Sequence, residues 1–187
     1  MKKILLFFAI AMVGWLAPVS GQDSNTDNHA LRVKIPEVAL VDIEPSGANS
    51  IELSAVAPTE AGNPLTFTAT NTDLWLNYSS IVPDVATKRR KITVQLDETV
   101  PGIDVKLAVG AYTGTGLGNK GTGVAGPTTL TTTAQDAVTG IGSSYTENGA
   151  NKGHRLTYTF DVATGNYGDI FALDHDVVVT YTITAAQ

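Results

Sequence analysis

Six glycines crowd into Gly114 to Gly126, and Gly116-Leu117-Gly118-Asn119-Lys120-Gly121 matches G-x-G-x-x-G after a strand-like stretch. In a dinucleotide fold that pattern must open a helix whose N-terminus receives the phosphates. Here Thr122-Gly123-Val124-Ala125-Gly126-Pro127 follows, which cannot form such a helix. The match is therefore a coincidence of glycine content, and the stretch reads as a long mobile loop or hairpin tip. Asp169, Asp174, His175 and Asp176, with Asp161 upstream, could supply some of the six to eight oxygens that Ca²⁺ takes. They lack D-x-D-x-D-G spacing, so a solvated acidic loop is the preferred reading. The three histidines, His29, His154 and His175, lie far apart and show no zinc spacing. There is no cysteine and no G-x-S-x-G, so nucleophilic catalysis finds no motif; Gly140-Ile141-Gly142-Ser143-Ser144 misses it. The expectation is a protein that is not an enzyme and takes no cofactor or metal.

Two sets of side chains suit contact rather than chemistry. Lys88-Arg89-Arg90-Lys91 is the single basic run, fit to meet an acidic glycan or an acidic patch on a partner. Its bland reading is a solvated turn before a strand. Trp75, Tyr78, Tyr112, Tyr145 and Tyr167 could stack on sugar, and Trp75 and Tyr78 head that set. The competing reading is a sandwich with both faces partly covered. Asn77-Tyr78-Ser79 is a glycosylation sequon, a match too short to weigh.

The elements that would position these residues are strands. Asp176 to Thr184 places Val177, Val179, Tyr181 and Ile183 on one face and Val178 with three threonines on the other. Leu31, Val33 and Ile35 alternate with Arg32 and Lys34 until Pro36 interrupts; Val38, Leu40 and Ile43 resume. Further strands are expected at 50–56, 64–70, 73–78, 91–97, 103–112 and 154–162, with a weak one at 128–133. Ala134 to Val138 is expected as a helical turn. No crossover helices are available for a parallel sheet. The fold class is all-β, an immunoglobulin-like antiparallel β-sandwich of about nine to ten strands.

The bulk numbers bound the setting. Lys2 and Lys3 precede the apolar run Ile4 to Leu16, and Val19 and Gly21 supply small residues for cleavage before Gln22. This is a secretory signal peptide, 1–21, too short for the about 20 apolar residues of a membrane span. Residues 22–30 read as a flexible N-terminus and 31–187 as one domain. The protein is expected to be secreted, periplasmic or at the cell surface. With no cysteine, packing and sheet hydrogen bonds alone must hold it. A net charge of −6 argues against nucleic acid, and no membrane insertion is expected after cleavage.

Thr164-Gly165-Asn166-Tyr167 followed by Val177-Val178-Val179-Thr180-Tyr181-Thr182-Ile183-Thr184 resembles the closing segment of bacterial chaperone–usher pilin subunits. The resemblance covers about the last quarter of the chain; elsewhere it rests on composition. It implies an incomplete immunoglobulin-like sandwich completed by a strand from a neighbouring subunit. The donor would be Ala30 to Ile35, inserting Leu31, Val33 and Ile35 beside Val177, Val179, Tyr181 and Ile183 of the next copy. The sequence departs from that pattern at the inserted Gly168 to His175, in the short donor and in the missing disulfide. The expected function is a non-enzymatic structural or adhesive surface subunit whose partners are copies of itself or related subunits. The alternative is a monomeric carbohydrate-binding module that meets surface glycan through Trp75, Tyr78 or loop aromatics.

Overall fold

The computed structural model describes residues 25–47 and 50–187, and the predicted signal peptide lies outside them. Contacts divide the chain into a unit Met1–Lys34 and a unit Ile35–Gln187. In the first unit the described residues form no strand, so the alternation at Leu31 and Val33 has no ladder. The second unit is all-β. Its strands are β1 (Val38–Glu44), β2 (Thr70–Ile81), β3 (Arg90–Leu96), β4 (Ile103–Val109), β5 (Thr122–Gly123), β6 (Thr128–Thr129), β7 (Gln135–Ile141), β8 (Ser144–Tyr145), β9 (His154–Val162) and β10 (Val179–Ile183). One 3₁₀ turn, Tyr167–Asp169, interrupts the strands. Among the described residues no helix is long and apolar enough to cross a membrane.

All ladders are antiparallel. One sheet runs β1-β2-β9-β4-β6, with β8 added against β2; the other runs β10-β3-β7-β5. The core lies between them because apolar residues alternate along the central strands. Leu74, Leu76 and Tyr78 of β2 face inward with Val105, Leu107 and Val109 of β4 and Leu156 and Tyr158 of β9. Ile92, Val94 and Leu96 of β3 and Ala137, Val138 and Ile141 of β7 meet them. Each such side chain contributes roughly 1.5–3 kcal/mol by leaving water, which is how a cysteine-free sandwich holds.

Four expected elements differ. Gln135–Ile141 is strand, not a helical turn, because Ala137, Val138 and Ile141 are wanted in the core and β3 supplies a partner ladder with two irregularities. The two strands expected at 50–56 and 64–70 shrink to one bridge, Val56 with Thr66. Pro58, Gly62 and Pro64 break the pattern between them, and apart from Thr70, which opens β2, neither joins a sheet. The glycine-rich stretch is not a free loop. Gly118 bridges Ser144, the Asn119 N–H donates to Ser143, and the Tyr145 N–H donates to Leu117. A Cβ at Gly116 or Gly118 would lie 2.1 Å from the Tyr145 or Ser143 carbonyl oxygen, so glycine is what lets the two backbones touch.

Candidate functional site

The closing strand β10 is an edge. Among the described residues its only ladder is to β3, where Val179 stands opposite Leu96 and Ile183 opposite Ile92. The Asp97 N–H donates to the Val178 carbonyl at 3.0 Å, and the Thr184 N–H donates to the Lys91 carbonyl at 2.9 Å. Even-numbered residues therefore turn their backbone groups toward β3. By the alternation of an antiparallel pair, Val179, Tyr181 and Ile183 turn theirs to the open side. Their side chains pack against the core.

On the same side of the sandwich, the other sheet also ends, at β1. Between the two edges runs a groove of about 210 Å³ lined by Val41, Asp42, Ile43, Val179 and Tyr181. Its lining mixes apolar Val41, Ile43 and Val179 with polar surface, Asp42 and Tyr181 being its polar residues. Tyr181 crosses its floor to place its hydroxyl 2.6 Å from that of Tyr158 on β9. Burial pushes the Tyr158 hydroxyl up to about 12. Burial first, then the neighbouring Tyr158, drives Tyr181 well above its ordinary value. The pair stays un-ionised at any physiological pH and ties one sheet to the other beneath the groove.

Of the strand-exchange residues named from sequence, Val179, Tyr181 and Ile183 lie on β10, and Val177 packs against the core just before it. Leu31 and Ile35 are 82% and 75% exposed, and Val33 is equally open. Sequence reading missed the opposite wall, Val41 and Ile43. The expected phase was Val38 and Leu40, but Leu40 is 65% exposed and Val41 and Ile43 pack against the core instead, beside β10.

The contact residues are dispersed. Tyr78 is 4% exposed and points into the core, and Arg90 is 3% exposed. Arg90 donates to the Thr184 carbonyl at 2.9 Å and the Ile81 carbonyl at 3.4 Å, and it pairs with Glu37. It is thus a clamp joining the approach to β1, the end of β2 and the end of β10. Lys91 pairs with Asp136 at 2.7 Å, and the Arg89 guanidinium turns back onto the Val85 and Lys88 carbonyls. Lys88 is exposed. Trp75 lies on the outer face of its sheet, with the Arg155 guanidinium 5.9 Å from its ring centre. Asn77 of the sequon is buried and donates its amide to the Gly149 carbonyl at 2.9 Å, so the folded chain does not present it for glycosylation. Tyr167 takes a hydrogen bond from the Leu65 N–H at 3.1 Å, and His175 packs edge-on against Phe171. Among the described residues no three acids or histidines converge in a way that would hold a metal ion.

The sequence reading also missed a buried polar cluster under the glycine-rich segment. His154, Tyr78, Tyr112 and Lys120 meet there. Nδ1 of His154 is 2.8 Å from the Gly110 carbonyl oxygen, and Nε2 is 3.0 Å from the Tyr78 hydroxyl. The Tyr112 hydroxyl accepts the Gly116 N–H at 2.6 Å, and the Lys120 ammonium sits 4.7 Å over the Tyr112 ring. The signal available was weak: His154 is in phase with Leu156 and Tyr158, so it had to face inward.

The site is therefore a seam of mixed polarity between two strand edges, β1 and β10, whose outer sides have no ladder partner among the described residues. Comparison of the chain with protein-family models, curated proteins and solved structures finds no match.

Proposed function

We propose that this chain is a secreted, non-enzymatic, immunoglobulin-like subunit with a structural or adhesive role at the cell surface, pilin-like in assembling by β-strand addition. The observation that carries the reading is the groove between β1 and β10, where Val41, Ile43 and Val179 flank a strand edge that has no ladder partner among the described residues. A strand laid there gains backbone hydrogen bonds from Val179, Tyr181 and Ile183 and pockets for alternate side chains. Leu31, Val33 and Ile35 match that need, being apolar at every second position, exposed and outside any ladder. Arg32 and Lys34 alternate with them and carry charge opposite to Asp42 in the groove wall.

Pro36 supports pairing in another copy. Only Pro36 and Glu37 separate Ile35 from β1. A two-residue hairpin needs a positive φ at its first central residue, and the proline ring fixes φ near −65°. The tightest fold-back onto β1 of the same subunit is thereby blocked.

The test is the solution mass, by light scattering, of 22–187, of 37–187 and of 22–187 carrying Val33→Asp. Concentration-dependent polymers from the unmodified 22–187 alone are expected. A stable monomer at every concentration, or undiminished polymers from the aspartate variant, overturns strand addition. The monomer result would move the reading to a carbohydrate-binding module, tested by quenching of Trp75 with polysaccharide.

A further inference from the structure

Charge runs along the groove with a sense. β1 and β10 point in opposite directions, because Arg90 joins Glu37, just before β1, to the Thr184 carbonyl, just after β10. Lys88 and Arg89 stand at that shared end. Arg89 and Gln187 exchange backbone hydrogen bonds at 3.1 and 2.9 Å, so the turn lies beside the continuation of β10. Arg90 and Lys91 are engaged by Glu37 and Asp136, and the Asp84 carboxylate takes the Ala86 N–H and the Thr87 hydroxyl. Among the described residues Lys88 and Arg89 make no ion pair. The far end is acidic. Glu44 closes β1, Asp97 and Glu98 follow β3 with Asp97 accepting the Val178 N–H, and Asp174 and Asp176 precede β10.

The arm carries charge with a sense of its own. Its apolar residues Leu31, Val33 and Ile35 are preceded by 22–28, which holds Asp23 and Asp27 and no lysine or arginine. Setting the three against Val179, Tyr181 and Ile183 gives one register for each direction. Antiparallel to β10, Leu31 stands opposite Ile183 and Ile35 opposite Val179. Counting back, Asp27 then stands opposite Gln187 and two strand spacings, about 10 Å, from the Arg89 backbone. Parallel to β10, the same count brings Asp27 level with His175, between Asp174 and Asp176. Arg32 and Lys34 exchange places opposite Thr180 and Thr182 and do not choose between the two. Asp27 does, since opposite charges on facing strands attract and like charges repel.

Direction names the partner. An arm of the same copy, entering at Thr184 and reaching Val179 with Ile35, would have to return to Glu37 beside Arg90. That return is about 17 Å of strand, and the two links from Ile35 to Glu37 span about 7 Å. We propose that the turn bearing Lys88 and Arg89 receives the acidic leader of a second copy, whose arm enters the groove antiparallel to β10. The inference rests on strand addition and assigns its direction, its partner and the role of the basic run.

The test uses the chain lacking residues 1–21, in which the absence of cysteine lets an introduced pair report direction. Antiparallel to β10, His29 stands opposite Ala185; parallel to it, His29 stands level with Val177. His29→Cys with Ala185→Cys should give disulfide-linked ladders of copies under mild oxidation, and His29→Cys with Val177→Cys about tenfold less crosslink. By light scattering, Lys88→Glu with Arg89→Glu should slow polymer growth about tenfold at about 0.05 M salt. Asp27→Lys, outside any ladder, should slow it alike, and the three changes together should restore it. Preferred crosslinking at Val177, or growth indifferent to both charge reversals, overturns this docking while polymers persist. No polymers from the unmodified chain overturns strand addition itself, and this inference with it.

Discussion

The hydroxyls of Tyr158 and Tyr181 meet at 2.6 Å across the sandwich. Tyr158 belongs to β9 in one sheet and Tyr181 to β10, the edge of the other. Among the described residues no other hydrogen bond joins those two strands. The pair positions the ring that floors the groove, so the edge strand is held at the depth where an added strand would meet it.

Tyr181→Phe removes one hydroxyl and leaves that of Tyr158 buried without a partner. A loss of about 1–2 kcal/mol in stability is expected by urea unfolding. Tyr158→Phe should behave alike, and the double variant should lose less than the sum. Strict additivity would show that the two hydroxyls are not coupled.

The same pair predicts an alkaline limit. In the unfolded chain both phenols lose their protons near pH 10, whereas the folded chain keeps that of Tyr158 up to about 12 and holds that of Tyr181 well above its ordinary value. Between those values the unfolded state binds fewer protons, so stability falls as pH rises. Each tyrosine contributes a slope of about 1.4 kcal/mol per pH unit, full stability being present below pH 10. Unfolding midpoints at pH 9, 10 and 11 in the wild type and in Tyr181→Phe measure it, and the variant should show the shallower decline.

His154 adds a limit on the acid side. Its folded value lies below that of the unfolded chain. Its neutral form therefore contributes stability that is complete above about pH 6.5 and declines as pH falls through the folded value. A wild type more stable at pH 5 than at pH 7, relative to His154→Gln, would contradict this sign.

Two glycines separate close packing from backbone conformation. Gly118 and Gly126 both hold positive φ, +87° and +89°, but a Cβ at Gly118 would stand 2.1 Å from the Ser143 carbonyl while Gly126 faces open space. Gly126→Ala should cost about 1–2 kcal/mol from the left-handed backbone alone. Gly118→Ala should cost clearly more, because Ser143 is backbone and must move. Equal thermal midpoints for the two variants would show that the segment does not depend on the contact.

Arg90 carries a further prediction. Arg90→Ala should remove about 3 kcal/mol and speed hydrogen exchange at Thr184 to Gln187, because Glu37, Ile81 and Thr184 all lose a donor. Lys88→Ala, on the exposed turn, should change stability by less than about 0.5 kcal/mol. The contrast separates a structural clamp from a basic patch.

Period-two alternation determined the all-β class on its own, because side chains on a strand point to opposite faces and water sorts them. It also placed Leu74, Leu76, Ile92, Val94, Val105, Leu107 and Leu156 inward without reference to any neighbour. It failed where the deciding partner is distant in the chain. Gln135 to Ile141 became strand because β3 was there to pair with, and 50–56 did not because no sheet received it. Six glycines read locally as freedom, yet five of them are where two backbones touch, a distance no local pattern encodes. Arg90 looked like one of four surface cations, but its guanidinium closes three strand ends. The groove is the extreme case. Val41 and Tyr181 share it only because both sheets end on the same side, and which strands are edges is settled by the order of the sheets rather than by the residues of any one strand.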